Sequence, residues 1–197
     1  MATRTETAAR ARSDARRRIL EAAYELFSRR GIRGVGVDEL VERAGVAKAT
    51  FYHHFPSKDD LALSFLEQRE QLWTKEWVEA EARRRADDPA EQLLAIFDLF
   101  DEWFRRDDFE GCSFVNVLLE FGGGKVHPLG RASAAHLENI REVVRTFAEE
   151  AGFGDPVSFA LSWHILMKGS IVQAGEGDRD AAKRAKSIAR LLIEQQP

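Results

Sequence analysis

The sequence has few of the residues on which several common architectures depend. Its single cysteine, Cys112, excludes an internal disulfide framework, and there is no CxxC pair with the spacing of a zinc site. The longest stretch without a charged residue, 156–167, is 12 residues long, whereas a membrane-spanning helix needs about 20. No apolar segment follows Met1, so we expect no secretory leader. These absences predict a cytoplasmic protein with no membrane partner.

Signatures of catalysis are also missing from the sequence. No candidate nucleophile is accompanied by a base and an orienting group, and the glycine run 122–124 follows a predicted helix rather than a strand. The carboxylates of Asp98, Asp101 and Glu102 lie along one predicted helix and indicate a solvated face. We therefore expect no catalytic residues, no metal site, no cofactor and no enzyme activity.

Charge is distributed unevenly along the chain. The net charge is −4 over 197 residues, but residues 1–58 hold ten Arg and two Lys against seven acidic residues, a net +5 that leaves −9 for the remainder. A basic head on an acidic body is typical of a protein of which one end meets phosphate. An arginine-rich tail on an acidic domain would give the same numbers, so charge alone leaves both interpretations open.

Hydrophobic spacing predicts an all-α protein of about nine helices. Residues 1–12 are polar and aperiodic and are expected to form a flexible arm. From Ser13 the apolar residues recur at helical spacing and predict a first helix that Gly31 ends, and no segment alternates like a strand. Gly, Pro and capping residues bound the helices predicted after the first one. These are 37–44, 47–54, 58–85, 89–106, 112–121, 128–151, 156–174 and 180–195.

The strongest local signal is a helix-turn-helix at residues 37–55. Gly45 permits the left-handed backbone of a sharp turn, and Ala44 is small where two helices must cross closely. Phe51 and Phe55 are expected to face inwards. The side chains left on the outer face, which can meet phosphates or base edges, are Lys48, Ala49, Thr50, Tyr52 and His53.

This region resembles a known family. The run GVAKATFYHHFPSKDDL at 45–61, behind ILEAAYELFSRRG at 19–31, is similar to the tetracycline-repressor (TetR) family of bacterial regulators, and the match covers roughly residues 15–62. The resemblance implies a three-helix DNA-binding domain, placed here at 1–56, and a larger helical domain, at 57–197, that dimerises and binds a small molecule. Ligand binding would then re-space the two recognition helices and release a palindromic operator.

The resemblance also assigns roles to single residues. Thr50, Tyr52 and His53 match DNA-contacting positions, Ala49 matches a small residue facing the bases, and Lys58 matches a basic residue that touches a phosphate. Gly36 and Ala47 depart from the family, because they replace the usual Ser or Thr caps of the second and third helices. A cap hydroxyl can also touch phosphate, so at least one phosphate contact fewer is expected.

The larger domain is predicted to hold an apolar effector. A Gly-Cys-x-x-x-Asn sequence at 111–116 resembles one branch of the family, and the surrounding aromatic residues suit the walls of an apolar pocket as well as an ordinary core. The acidic surface disfavours an anionic ligand. Asn116 is the first polar candidate, and Glu120, His136 and His164 are others. The predicted ligand-binding residues are Trp73, Phe97, Phe100, Phe114, Asn116 and Trp163.

The last two helices are predicted to pair with those of a second copy in a four-helix bundle. Such a dimer would present two recognition helices about one DNA turn, roughly 34–36 Å, apart. The predicted interface residues are Phe159, Trp163, Leu166, Met167, Ser170, Ile171, Ile188, Leu191 and Leu192.

Two other functions remain open from sequence. An activator or architectural DNA binder without a ligand would have a filled core in the larger domain. An all-α enzyme or ligand carrier with a vestigial head would need a catalytic constellation there, which the sequence does not contain. Cys112 is open to two interpretations as well, a redox sensor near a helix N-terminus or a small buried hydrophobe.

Overall fold

The computed structural model describes residues 4–122 and 126–196, and within these ranges the only regular structure is helix. The predicted all-α class with nine helices is confirmed for this part of the chain. The helices are α1 (Arg4–Arg30), α2 (Val37–Ala44), α3 (Lys48–His54), α4 (the contiguous segments Lys58–Arg69, Glu70–Glu79 and Ala80–Arg85), α5 (Pro89–Phe104), α6 (Ser113–Phe121), α7 (Pro128–Glu150), α8 (Pro156–Gly175) and α9 (Ala181–Glu194). Of the glycine run predicted to close α6, Gly122 is described, and Gly123 and Gly124 lie outside the described residues.

Side-chain caps begin several helices where the sequence predicted them. The Asp88 and Asp155 carboxylates accept hydrogen bonds from the backbone N–H groups three residues later, each at 3.0 Å. Proline follows each of these caps in the first helical turn, where its missing N–H costs nothing. Ser57 likewise accepts a bond from the N–H of Asp60 at 3.1 Å, at the start of α4. These local contacts fix where α4, α5 and α8 begin.

The first helix is longer than predicted. Residues 1–12 were expected to be a flexible arm, but α1 begins at Arg4. The reason is composition, because alanine, arginine and glutamate all have high helix propensity even where no apolar stripe marks the helix. Residues 1–3 lie outside the described residues.

The middle of α4 is π-helical between Glu70 and Glu79. The sequence predicted one uninterrupted α-helix here. The wider turn is anchored at its start, where the Glu70 carboxylate bonds Nδ1 of His136 at 2.8 Å and accepts from Nδ2 of Asn139 at 2.5 Å. Trp73 and Val78 are buried within the same segment.

The chain forms two compact units. The head unit comprises Met1–Arg69 and Asn116–Ser133, and the body unit comprises Glu70–Val115 and Ala134–Pro197. The head is built on buried side chains of α1 to α4, whereas aromatic residues dominate the interior of the body. The functional boundary predicted after residue 56 remains a prediction. No described helix combines the length and apolar character required to cross a bilayer.

Candidate DNA-binding head and effector region

The turn between α2 and α3 has the geometry of a helix-turn-helix. Gly45 adopts φ +62° and ψ +43°, the left-handed conformation that ends α2. Arg18 of α1 donates from Nη1 to the carbonyl oxygens of Ala44 and Gly45, both at 3.0 Å. A side chain of the first helix thus satisfies the C-terminal carbonyls of α2. Sequence reasoning missed this role of Arg18, because a bond to a backbone carbonyl leaves no motif.

Helix α3 has one buried and one exposed face, as its sequence predicted. Phe51 is completely buried and Phe55 is 2% exposed, whereas the Tyr52 ring is 46% exposed. Of the predicted DNA-contacting residues on α3, the exposed ones are Lys48, Ala49, Tyr52 and His53, and Thr50 is half-buried. This face is therefore available to a DNA groove.

The structure agrees with the sequence that α2 and α3 lack side-chain caps. Gly36 and Ala47 precede α2 and α3 in extended conformations without a side-chain cap. Lys48, next to Ala47, pairs with Asp38 at 2.7 Å, and this hydrogen bond raises the pKa of the lysine. Because both partners are exposed, the pair contributes little stability. A phosphate can therefore take the place of Asp38 at low cost.

Lys58 lies behind the loop that joins α1 to α2. Its Nζ donates to the carbonyl oxygens of Ile32 and Val35 at 2.9 and 3.0 Å. The sequence predicted a phosphate contact for this lysine, and the structure shows that two of its three N–H donors hold the loop. The third donor leaves the predicted phosphate contact possible, so it remains a prediction.

Glu120 of α6 binds the same loop as an acceptor, whereas Lys58 binds it as a donor. Its carboxylate accepts from the backbone N–H groups of Ile32 at 3.1 Å and Arg33 at 2.5 Å. The Arg33 guanidinium also lies over the Phe121 ring, 4.8 Å from its centroid. Glu120 had been a candidate ligand contact, but the structure assigns it to the head. Sequence reasoning could not find this pairing, because its partners are backbone amides 87 and 88 residues away.

Four of the predicted ligand-binding residues come together in the body. Ring centroids of Trp73 and Phe100 are 5.9 Å apart, those of Phe97 and Phe100 are 6.1 Å apart, and those of Phe97 and Trp163 are 5.2 Å apart. These rings are buried and pack directly on one another. They form a continuous aromatic cluster in the interior of the body.

The other two predicted ligand-binding residues lie elsewhere. Phe114 is 5.1 Å from the His136 ring, and His136 itself bonds Glu70. Asn116 is exposed, and its contact with a ligand remains a prediction. The spacing on α6 turns residue 116 away from the buried side that includes Phe114 and Val117.

Several buried polar atoms in the body have no hydrogen-bond partner among the described residues. They include the indole N–H groups of Trp73 and Trp163, the hydroxyl of Thr74 and Oε1 of Gln92. Buried polar groups are normally satisfied by protein or by ordered water. These atoms are therefore places where a ligand or a water molecule would lower the free energy.

Helix α8 carries apolar residues on two faces. Much of the stripe predicted to form the dimer interface packs into the body of its own protomer, since Phe159, Trp163, Met167, Ser170 and Ile171 are all buried. Leu166 and Leu192 are half-buried. The exposed apolar residues of α8 and α9 are Val157, Leu161, Ile165, Val172, Ile188 and Leu191. Of the predicted interface residues, Ile188 and Leu191 therefore lie on an exposed apolar face.

A groove of about 640 Å³ lies along α8 and α9 beside this face. Its lining residues are Ile165, Leu166, Lys168, Gly169, Ser170, Val172, Gln173, Asp178, Ala181, Arg184, Ala185 and Ile188. Gly169 is exposed and lacks a side chain, so a second helix could approach the α8 backbone closely at this position.

Comparison with known proteins finds a family model that matches part of the head. Residues 19–65 match the model of the bacterial regulatory proteins of the tetR family. The chain is 31% identical over 124 residues to the HTH-type transcriptional regulator LmrA of Bacillus subtilis, a match that covers 60% of this chain and 63% of LmrA.

Solved structures extend the similarity to nearly the whole chain. The TetR-family regulator SCO4454 of Streptomyces coelicolor has a TM-score of 0.84 and 28% identity, over 92% of this chain and 95% of that one. A putative transcriptional regulator of Saccharomonospora viridis, solved in complex with choline, has a TM-score of 0.73 and 25% identity, over 93% and 97% of the two chains. The fold of both units therefore has solved counterparts.

The exposed face of α3 generates a first prediction. Tyr52→Ala should weaken binding to a specific DNA site by more than tenfold, about 1.4 kcal/mol, with little effect on folding because the side chain is half exposed. Fluorescence anisotropy on a labelled duplex measures the affinity, and Tyr52→Phe, which keeps the ring against Phe51, serves as control for packing. Affinity within about threefold of wild type for Tyr52→Ala would contradict the assignment of this face.

Lys58 generates a prediction with two separate measurements. Lys58→Met should lower the free energy of unfolding by about 1–3 kcal/mol, because two loop carbonyls lose their donor. If the third N–H also meets a phosphate, the slope of log affinity against log salt should fall in magnitude by about 0.9. Urea denaturation gives the first quantity, and binding at several salt concentrations gives the second. Unchanged stability would argue against the loop contacts.

Glu120 is expected to stabilise the head rather than to contact DNA. Glu120→Gln should weaken DNA binding several-fold with an unchanged salt slope, because a neutral amide holds two N–H donors less strongly than a carboxylate does. Hydrogen exchange at the amides of Ile32 and Arg33 should become faster. Protection equal to wild type at both amides would disprove the contact.

Proposed function

This chain belongs to the TetR family of bacterial regulatory proteins, and from that premise we propose that it is a cytoplasmic DNA-binding transcriptional regulator. It acts as a repressor that releases its operator when a small, largely apolar molecule binds the body. The observation that carries this proposal is the exposed polar face of α3, held beside the Gly45 turn.

The DNA-binding step follows from the shape and charge of the head. Residues 1–58 carry a net +5, which supplies the sequence-independent attraction to phosphates. Tyr52 and His53 are exposed on α3 and can reach base edges when that helix lies in a major groove. Lys48 stands at the start of the same helix, where phosphate contacts set its register.

The occupant proposed for the exposed apolar face of α8 and α9 is a second copy of this chain. The face combines Leu161 and Ile165, which are 53% and 71% exposed, with Ile188 and Leu191. Contiguous exposed apolar surface of this kind marks an interaction site. A two-fold axis through it would form a four-helix bundle and present two heads to a palindromic operator.

The hydrogen bonds to the α1–α2 loop support release of the operator by a ligand. Lys58 of α4 and Glu120 of α6 bond that loop, and both helices also include residues of the body unit. A ligand that shifts either helix would therefore change the contacts of the loop. Its differential affinity for the two shapes must supply about 1–3 kcal/mol of coupling.

A DNA binder that needs no ligand is the second candidate. The direct ring contacts among Trp73, Phe97 and Phe100 favour it, because they fill part of the interior in which the effector was predicted. Under this alternative the protein would bind its operator equally well with or without small molecules, as an activator or an architectural protein.

Footprinting of the purified protein on the DNA upstream of its own gene tests the proposal. We expect a protected, two-fold symmetric site, and loss of protection when an effector is added from a panel of apolar compounds. Absence of any protected site would overturn the DNA-binding proposal. Protection that no compound relieves would favour the ligand-independent alternative, and a reporter gene would separate repression from activation.

The dimer generates its own prediction. Ile165→Asp should raise the dissociation constant of the dimer more than a hundredfold, about 2.7 kcal/mol, because a carboxylate would be buried without a partner. Val126→Asp, at a position that is 93% exposed outside α8 and α9, is the matched control. Analytical ultracentrifugation measures both variants. A fully dimeric Ile165→Asp protein would place the interface elsewhere.

A further inference from the structure

Three basic side chains of the body lie near one another, Arg141 on α7 and His164 and Lys168 on α8. Nη1 of Arg141 on α7 lies 3.5 Å from Nδ1 of His164 on α8. Lys168 lies one turn further along α8, on the same side as His164, and it also lines the groove along α8 and α9. His164 is 3% exposed, the Arg141 side chain is 22% exposed, and Lys168 is half-buried. The cluster is therefore partly removed from water and still open to it.

Among the described residues, no buried carboxylate forms an ion pair with this cluster. Burial, together with the nearby charges of Lys168 and Arg141, lowers the pKa of His164 to about 3. Burial also lowers the pKa of Lys168, and Arg141 adds to this effect, whereas the Cys112 side chain opposes it. Thus the neighbouring charges that lower the pKa values of His164 and Lys168 are those of other basic side chains in the cluster.

The carboxylate partner of Arg141 does not neutralise this site from within. Glu138 lies three residues before Arg141 on α7, and its side chain is 66% exposed. For Lys168 no ion pair with a carboxylate is found among the described residues. Lys168 is thus a half-buried cation without a carboxylate ion pair, and Arg141 is paired with an exposed carboxylate. An anion placed among these side chains would lower the free energy of the body.

We propose that Arg141, His164 and Lys168 bind an anionic head group, a carboxylate or a group of similar charge, on an otherwise apolar effector. The inference rests on the proposed ligand-responsive function and names the chemistry of the ligand. The arginine fork can bind such a group with two N–H donors, and the lysine adds a point charge. His164 is neutral at pH 7, since its pKa is about 3, and it supplies a single N–H.

The apolar part of the ligand has a neighbour on the same helix. Trp163 directly precedes His164, its ring lies 5.2 Å from that of Phe97, and its indole N–H has no partner among the described residues. The acidic exterior acts on an anion only at long range, and salt screens it beyond about 10 Å. The local cations therefore decide the sign of the bound charge, and a quaternary ammonium such as choline should be rejected.

Two fluorescent probes with the same aromatic rings test the proposal. Anilinonaphthalene sulfonate is an anion, and phenylnaphthylamine lacks the sulfonate. Each is titrated into the DNA-free protein, with binding followed by energy transfer from tryptophan. Arg141→Met and Lys168→Met should each weaken the anionic probe about tenfold and leave the neutral probe within twofold. Choline at millimolar concentration should displace neither probe.

Three further variants keep the test decisive. Lys183→Met removes an exposed cation of α9 and should change neither affinity, whereas Lys168→Arg should preserve binding of the anion. Glu138→Gln removes the anion that competes for Arg141, so it should tighten the anionic probe several-fold and leave the neutral probe within twofold. Partial unfolding would instead expose apolar surface and strengthen the binding of both probes. Thermal melting of every variant verifies the fold.

Two outcomes would overturn the proposal. Equal weakening of both probes would mean that the variants damage an apolar site, and unchanged binding of the anion would mean that the cations do not contact it. In the second case, a changed monomer–dimer equilibrium in Lys168→Met would assign the cations to a second copy instead. Because the titrations contain no DNA, they can fail while the operator footprint stands, and the footprint can fail while they succeed.

Discussion

The head depends on how the short loop between α1 and α2 is held. Its carbonyl oxygens at Ile32 and Val35 bond the Lys58 ammonium, and its N–H groups at Ile32 and Arg33 bond the Glu120 carboxylate. A loop leaves backbone groups unpaired, and here charged side chains from two other helices satisfy them. Charge-assisted bonds are stronger than neutral ones, so the direction in which α2 leaves α1 is firmly fixed.

The recognition helix inherits this constraint. α2 is fixed at its start by the loop and at its end by Arg18, which bonds the carbonyls of Ala44 and Gly45. α3 follows after the Gly45 turn and is anchored by Phe51 and Phe55. The absence of side-chain caps at Gly36 and Ala47 is therefore tolerated, because tertiary contacts stabilise these two short helices.

The body combines close packing with incomplete polar pairing. Its aromatic rings fill the interior around Phe100, yet two indole N–H groups have no hydrogen-bond partner among the described residues, and three basic side chains lie near one another. In a body that served only as a scaffold, apolar side chains would remove these costs. Their presence beside a π-helical segment of α4, a distortion that often occurs at functional sites, supports a role for the body in binding a ligand.

The sequence by itself determined the all-α class, the helix-turn-helix and the outward face of α3, because glycine turns, caps and helical periodicity act over a few residues. Only the tertiary structure decided the partners of Lys58 and Glu120, since bonds to distant backbone groups leave no pattern. It also decided which face of α8 is buried. That helix carries Phe159 and Trp163 on one side and Leu161 and Ile165 on another, and a helix that is apolar on several faces does not reveal which one its own protomer covers.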